Sequence, residues 1–378
     1  MGRQFTLENV KHHDNHEKGT AIVIGASLSG LMAGISLARE GLCVTILDKV
    51  SAEQRYGGGL QVEGGTFEMS KTGRLLRKLT SGGKTSIQLW SSIEYRLRKE
   101  ILTYSNISLR YNTKVRMVDQ DANSAWVMTE EGEVIHADIL IGADGHRSIV
   151  RHHVAPDKPY ATYAGYLVWI VETIAENDLP LEHQPTHQST GTKIYNGPHG
   201  FLFGTIIENQ DGIAGSGKRR LGCAWYDNTK SDLLYQLGCV RDNVVHHSLK
   251  GPDIPEKTIN ELKQEAKSMW PEPWLSTTLS ALNNRGLTGI PVKEYIPDNL
   301  SNGRVALVGD AAHVPAPITA SGFNQSLEDA VALGKCVAKG VIGDDAIQAM
   351  EKYESQRLAK VRDIVRSGQS FGLSFGRP

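Results

Sequence analysis

Cysteine is scarce in this chain: Cys43, Cys223, Cys239 and Cys336 are the only 4 among 378 residues, widely scattered and without a CxxC pair. That spacing excludes a disulfide framework and a thiolate metal site, and it is the usage expected in a reducing cytoplasm. Charge of one sign is lacking too. Lys and Arg number 41 against 42 Asp and Glu, a net charge of -1, so no global field draws the chain to nucleic acid or an anionic membrane. A small molecule is the expected partner. Internal repeats, low-complexity blocks, an HExxH pair, a Ser-His-Asp order and a nucleophilic cysteine context are all missing, which leaves hydrolysis and metal catalysis without support. The polar opening "MGRQFTLENVKHHDNHEKG" has no apolar h-region and reads as a flexible extension over residues 1–18, and its His12, His13 and His16 are assigned no metal. The longest apolar run, Ala21 to Ala38, nearly has the length of a membrane span. Gly25, Ser27, Ser29, Gly30 and Gly34 break it into strand, turn and helix instead.

What is present begins there. "TAIVIGASLSGLMAGISLAREGLCVTILDK" predicts strand, tight turn, helix and a second, parallel strand. "HADILIGADG" and "GRVALVGDAAH" are two more apolar strands, poor in charge as strands covered on both faces are, and each ends in a turn. Between about residues 155 and 285 the texture becomes aromatic and β-branched with partial alternation, which predicts an antiparallel sheet. From Ser326 onward apolar residues fall at helical spacing. The expected fold class is therefore α/β: a Rossmann-like nucleotide domain over 19–155 and 286–345, an inserted β-rich substrate domain over 156–285, and a C-terminal helix over 346–378. A chain of 378 residues suits two joined domains better than one core.

A bound diphosphate needs a tight strand-to-helix turn, free N–H groups at the helix N-terminus and no obstructing side chain. Gly25 supplies the turn and Gly30 the close helix packing, while Ser27 replaces the usual second glycine with a small hydroxyl. Asp48, closing the second strand, is the acid expected to meet ribose hydroxyls, and it argues against a 2′-phosphate there. A plain packing turn remains the competing reading of this stretch. Two distant Gly-Asp turns, "GADGHRSIVR" (Gly142 to Arg151) and "GDAAHVPAPITASGFNQ" (Gly309 to Gln325), weigh against it.

Taken together and in this order, the three motifs resemble those of the single-component flavoprotein aromatic hydroxylases, from Thr20 to about Arg366. "YAGYLVW" and "GKRRLGCAWYDN" look like the corresponding stretches of the 2,6-dihydroxypyridine 3-hydroxylases within that group. The resemblance implies FAD as cofactor and NADH or NADPH as transient co-substrate. It further implies O2 and a small aromatic substrate, hydroxylation through a flavin C4a-hydroperoxide, and a homodimer. Residue by residue, it places Gly25, Ser27, Ser29, Gly30, Asp48, Lys49 and Val115 with the ADP half of FAD, and Asp144, Gly145 and Arg147 in a turn shared by FAD and NAD(P)H. Asp310 would accept from ribityl hydroxyls, the Pro317 carbonyl would lie over the ring, and the backbone of Gly322, Phe323 and Asn324 would face its pyrimidine edge. Pro317 and Gly322 are the catalytic candidates on this basis. Backbone donors near N1 and O2 would stabilise charge on the reduced ring.

There are departures. In the group an Arg often precedes the helix that closes onto FAD, whereas "LWSSIEYRLRKEI" has Trp90 there and Arg96 later; Gly57 to Leu89 is short; and Ala320 replaces a frequent Gly. His313 is read as structural, bonding to backbone near the flavin, and His199 as a solvated loop residue. Trp169, Trp225 and Tyr226 are read as sheet core. A halogenase or reductase on the same fold is the alternative enzyme, although the WxWxIP signature is missing, and a flavin-binding sensor without turnover is the alternative outside enzymes.

Overall fold

The computed structural model describes residues 17–53, 58–65, 69–185, 191–208 and 219–376; His12, His13 and His16 lie outside them. The first half builds β1 (Thr20–Ile24), α1 (Leu28–Arg39), β2 (Cys43–Leu47), β3 (Gly59–Val62), α2 (Lys71–Ser81), β4 (Ser86–Leu89), α3 (Trp90–Ile101) and β5 (Ile107–Arg110). Next come β6 (Val115–Gln120), β7 (Ala125–Thr129), β8 (Val134–Ala137), β9 (Ile139–Gly142) and α4 (Ile149–Val154). The central segment runs through β10 (Thr162–Ala175), β11 (Gly191–Gly197), β12 (Gly200–Glu208), β13 (Arg219–Asp227), α5 (Ser231–Gln236) and three two-residue strands, β14 (Val240–Arg241), β15 (Val244–Val245) and β16 (Leu249–Lys250). It closes with α6 (Glu256–Met269), α7 (Trp274–Asn283) and β17 (Leu287–Glu294); β18 (Ser301–Asn302), β19 (Val305–Leu307), α8 (Gly322–Val337) and α9 (Asp345–Phe375) complete the chain.

The first sheet has the order β18-β19-β9-β1-β2-β5, parallel throughout except for β18. Its strands are short, apolar and covered: Ala21, Ile22, Val23 and all four residues of β9 are buried, as a parallel sheet between packed layers requires. Helix α1 packs against α3 and α8, while α4 packs against β9 and β19 and the β6-β7-β8 sheet against α4, β9 and β1. The crossover from β1 to β2 works only because α1 can approach its own turn. A Cβ on Gly30 would stand 1.8 Å from the Gly25 carbonyl oxygen. Gly30→Ala is expected to cost about 2 kcal/mol through overpacking against a backbone atom that cannot yield, together with loss of bound FAD; thermal unfolding and flavin retention measure the two effects.

The second sheet has β11-β12-β13-β10 as its antiparallel run, with β17 and β15 also on β10. One face, bearing Leu167, Trp169, Leu202 and Trp225, packs with Leu262, Trp270 and Trp274 of the α6-α7 segment. Trp169 is fully buried and donates to Asp227 Oδ2 at 2.9 Å, and Trp225 meets Trp270 edge-on, so both serve the sheet core. Tyr226 lies on the other face, with Tyr166, Phe201 and Phe203. The register corrects one boundary. β17 belongs to this second sheet, so the chain re-enters the first sheet at β18 and β19, after residue 294 and not at 286. None of the helices formed by the described residues is long and apolar enough to cross a membrane.

Candidate functional site

The carboxyl ends of β1, β2 and β9 and the N-termini of α1 and α8 surround a cavity of about 660 Å³. This is where an open parallel sheet places its ligands. Gly25 turns the chain at φ +101°, donates its N–H to the Leu47 carbonyl at 2.8 Å, and leaves no room for a Cβ, which would lie 2.4 Å from the Ala143 oxygen. Ser27 is the N-cap of α1 in extended conformation, and its hydroxyl makes no capping bond. The helix therefore presents its first N–H groups and a hydroxyl to the cavity, a site for phosphate oxygens.

Of the residues singled out in the sequence, Gly25, Ser27, Ser29, Asp48, Lys49, Val115, Asp144, Gly145, Arg147, Asp310, Pro317, Gly322 and Phe323 all line this cavity. Two do not. Gly30 acts behind the turn, by packing. Asn324, whose backbone is the part expected at the flavin edge, is buried beside the lining residue Phe323; its side-chain Oδ1 accepts from Arg77 Nη1 at 3.0 Å and from the Glu63 N–H at 3.4 Å, tying the end of β3 to α8. Its wide polar grip explains why an amide belongs there, but the contact is internal.

Three carboxylates have separate duties. Asp48, 5% exposed, accepts from the Ala26 N–H at 2.8 Å through Oδ2 and from the Val50 N–H at 2.9 Å through Oδ1. It shapes the phosphate turn as well as lining the cavity. Asp144 braces the start of α4, whose N-cap is Ser148, accepting from Ser148 Oγ at 2.5 Å and the Ile149 N–H at 2.7 Å; burial pushes this carboxyl up, and those bonds oppose the rise. Asp310 sits in a turn over Gly309–Ala311, is exposed to the cavity, and has no side-chain hydrogen bond among the described residues. It is the carboxylate with its acceptor capacity open to a ligand hydroxyl. Around it lie basic groups: Lys293 is held below its ordinary value by burial, an effect Asp310 opposes. His146 is pushed down to about 3 by burial and by Lys293, Arg147, Arg151 and Lys49. The imidazole is thus neutral near pH 7, while the cations supply a positive field suited to a diphosphate.

Sequence reasoning passed over the residues that hold Asp310 in place. Arg151, fully buried in α4, donates to the Ala311 oxygen at 2.8 Å, the Asp310 oxygen at 3.0 Å and the His146 oxygen at 2.9 Å, with its guanidinium 4.2 Å from the centre of the Tyr295 ring. One side chain thereby locks both Gly-Asp turns together. From beneath, Asp329 Oδ2 accepts the Gly309 N–H at 3.0 Å and meets His313 Nε2 at 2.7 Å, and Oδ1 accepts from Arg357 Nε at 2.8 Å. His313 is structural as expected, but its ring bonds a carboxylate and not backbone. The available signal was a charged residue inside an apolar helical pattern, at Arg151, Asp329 and Arg357 alike.

The departures resolve physically. Arg96 donates to the Leu79 and Thr80 carbonyls and to Gln88 Oε1, fastening α2 to β4, and Trp90 at the start of α3 lines the cavity. The short stretch before Leu89 still forms the β3-β4 pair. Ala320 adopts φ +50°, the left-handed region where glycine carries no penalty. His199 is exposed in the β11-β12 turn, away from the cavity. No group of three or more metal-ligating side chains occurs among the described residues.

A Gly-turn βαβ unit, an exposed Asp at the end of a third strand and a helix N-terminus facing one elongated cavity define a dinucleotide-binding α/β protein. The residues fit FAD in that role: glycines where a Cβ would close the cradle, an open hydroxyl at the α1 N-cap, and an unpaired carboxylate half-way along. The chain belongs to the FAD binding domain family, which matches residues 18–94 and 91–368. It is 26% identical to the 3-hydroxybenzoate 6-hydroxylase of Klebsiella oxytoca, over 93% of this chain and 87% of that one. Among solved structures it is similar to 2,6-dihydroxypyridine-3-hydroxylase from Arthrobacter nicotinovorans, with a TM-score of 0.73 and 18% identity over 95% of this chain and 93% of the other. It is also similar to Klebsiella pneumoniae HpxO complexed with FAD and uric acid, with a TM-score of 0.69 and 20% identity over 98% and 91%.

Proposed function

We propose that this flavoprotein is a monooxygenase that hydroxylates an electron-rich aromatic or N-heteroaromatic ring with NADH or NADPH and O2. The observation that carries the reading is the cavity wall at Pro315, Ala316 and Pro317 beside the N-terminus of α8, whose turn neighbour Ile318 packs on the aromatic cluster of the second sheet. FAD, when bound, supplies hydride acceptance and oxygen activation. The chain supplies the rest. Ser27 and the first N–H groups of α1 hold the diphosphate; Asp310 accepts from sugar-chain hydroxyls. The N-terminus of α8 at Gly322 and Phe323 directs its positive end into the cavity, where it favours negative charge. Pro315, Ala316 and Pro317 close one wall and keep water from the reacting ring. The similarity to a 3-hydroxybenzoate 6-hydroxylase supports an aromatic substrate.

The test is a panel of phenols and hydroxypyridines scored for ligand-stimulated NAD(P)H oxidation and for hydroxylated product. A yellow protein whose flavin neither NADH nor NADPH reduces contradicts the reading and returns the chain to a binding role. Within the same assay Asp310→Ala is expected to weaken FAD by roughly 10- to 100-fold, the loss of hydrogen bonds to a charged acceptor, with little change in folding because the carboxylate has no protein partner to orphan. Equilibrium titration of the apoprotein with FAD measures it.

A further inference from the structure

A second cavity, of about 480 Å³, lies where the start of β10, α5 and the end of β17 meet the last turns of α9. It shares no lining residue with the nucleotide cavity. Glu294, the last residue of β17, lines it and is 7% exposed. The Glu294 Oε1 atom is buried without a hydrogen-bond partner among the described residues, and it faces Gly372 of the lining, where a Cβ would stand 3.4 Å from it. Burial raises this carboxyl, and Gln369, also in the lining, opposes the rise. A buried carboxyl with an open oxygen is costly to keep, and a charged donor is the partner that satisfies it best.

Two further features favour positive charge here. Gly372, Leu373 and Gly376 bring the C-terminal end of the 31-residue α9 to the cavity, and no basic residue stands in that helix's last turn. The negative end of the helix dipole is therefore open to a cation. The rings of Tyr163 and Tyr235 also line the cavity, edge to face at 6.1 Å and 84°, and a flat cationic group packs well on such rings. Tyr163 is fixed by its hydroxyl, 3.0 Å from Ser231 Oγ, which donates to the Gly165 oxygen at 3.0 Å. Among the described residues no lysine or arginine lines the cavity. The cations at neighbouring positions have partners of their own: Lys230 lies 3.0 Å from Glu265, Arg366 lies 3.5 Å from Asp363, and the Arg241 guanidinium packs on Gly238. Lys293, next to Glu294, does not line this cavity; burial lowers it, and Asp310 of the nucleotide cavity opposes that effect.

We propose that this cavity is a second ligand site, for a small aromatic cation: an amidinium or ammonium group on a flat ring, paired with the Glu294 carboxylate and packed against Tyr163 and Tyr235. Binding there does not depend on the hydroxylase reading. The FAD-bound full chain is titrated calorimetrically with benzamidine, benzamide and benzoate, which share a ring and a planar head group and carry positive, no and negative charge near neutral pH. Arg377 follows Gly376 outside the described residues and is itself a cation, so each titration is repeated on the Arg377→Ala protein.

Benzamidine is expected to bind at least about tenfold more tightly than benzamide, the effect of one hydrogen bond to a charged group, and benzoate more weakly still. Glu294→Gln is expected to remove that preference by weakening benzamidine while leaving benzamide unchanged. Leu373 lines the cavity and is exposed, so Leu373→Lys is expected to abolish benzamidine binding with thermal unfolding as in the wild type, and it decides the matter where Glu294→Gln does not fold. Tighter benzamidine binding by Arg377→Ala than by the wild type also supports a cation site. Benzamidine bound no more tightly than benzamide in both backgrounds, or not bound in either, overturns the inference. A benzamidine preference that a folded Glu294→Gln or Leu373→Lys protein retains overturns it as well, because the cation then sits elsewhere on the chain.

Discussion

Replacing Arg151 with Ala is expected to destabilise the protein by about 3 kcal/mol or more and to abolish retention of FAD on purification. Arg151 is fully buried and its fork reaches carbonyls from two turns far apart in sequence, those of His146 and of Asp310 and Ala311. Truncation leaves several buried acceptors unsatisfied, each costing roughly 1–3 kcal/mol, and removes the cation from the Tyr295 face. Lysine does not replace it, because a single ammonium cannot span the carbonyls that a planar fork reaches together. Arg151→Lys is therefore expected to recover less than half of the lost stability. Chemical denaturation and FAD titration measure the two losses. A folded, yellow Arg151→Ala protein of wild-type stability would show that the two Gly-Asp turns hold without their clamp.

Asp329→Ala carries the second large effect, about 3–5 kcal/mol, the range for breaking a buried charge pair by removing one partner. Asp329 is completely buried, and its loss takes away the acceptor of Arg357 Nε, the partner of His313 Nε2 and the acceptor of the Gly309 N–H, leaving Arg357 only its Nη2 bonds to Gln325. The double variant Asp329→Ala/Arg357→Ala is expected to lose less than the sum of its parts, since the second truncation removes a charge that the first left unpaired. The pH dependence follows from the same contacts. Burial by itself would raise the Asp329 carboxyl, but His313, Arg357 and the Gly309 N–H together hold it below the ordinary value of 3.8. A carboxyl whose folded value is depressed contributes stability that is fully present above its unfolded value and is lost as pH falls through the folded one. The stability gap between wild type and Asp329→Asn is therefore expected to be constant near neutrality and to shrink as the pH drops below 3.8, a trend that denaturation at stepped pH reports.

Those two residues also mark where the sequence stops being readable. The β1-α1-β2 unit was legible because its determinants are local: Gly25, Gly30 and Asp48 fall within one supersecondary unit, and each acts on a neighbour in that unit. The antiparallel sheet was legible from its alternating aromatic runs, although the expected domain boundary at 286 left "LTGIPVKE" outside it, because that stretch has no signature of its partner. Arg151 and Ala311 are 160 positions apart, and the acceptor is a backbone carbonyl, which leaves no mark in the side-chain sequence. Asn324 shows the same distance: its side-chain amide is taken up by Arg77, 247 positions earlier, a partner that no local motif displays. Asp48 shows a milder form: it lines the cavity, but its bonds to the Ala26 and Val50 N–H groups are a turn-shaping duty that spacing alone does not display.

The central claim is that the cavity holds FAD for oxygen insertion into an aromatic ring. Its most direct test is isotopic: turnover of any phenol or hydroxypyridine that stimulates NAD(P)H oxidation, carried out under labelled O2 in ordinary water, with mass analysis of the hydroxylated product. One labelled oxygen atom per product molecule is the predicted result. Label drawn from water instead, or NAD(P)H consumed across the whole panel without any hydroxylated product, would contradict it.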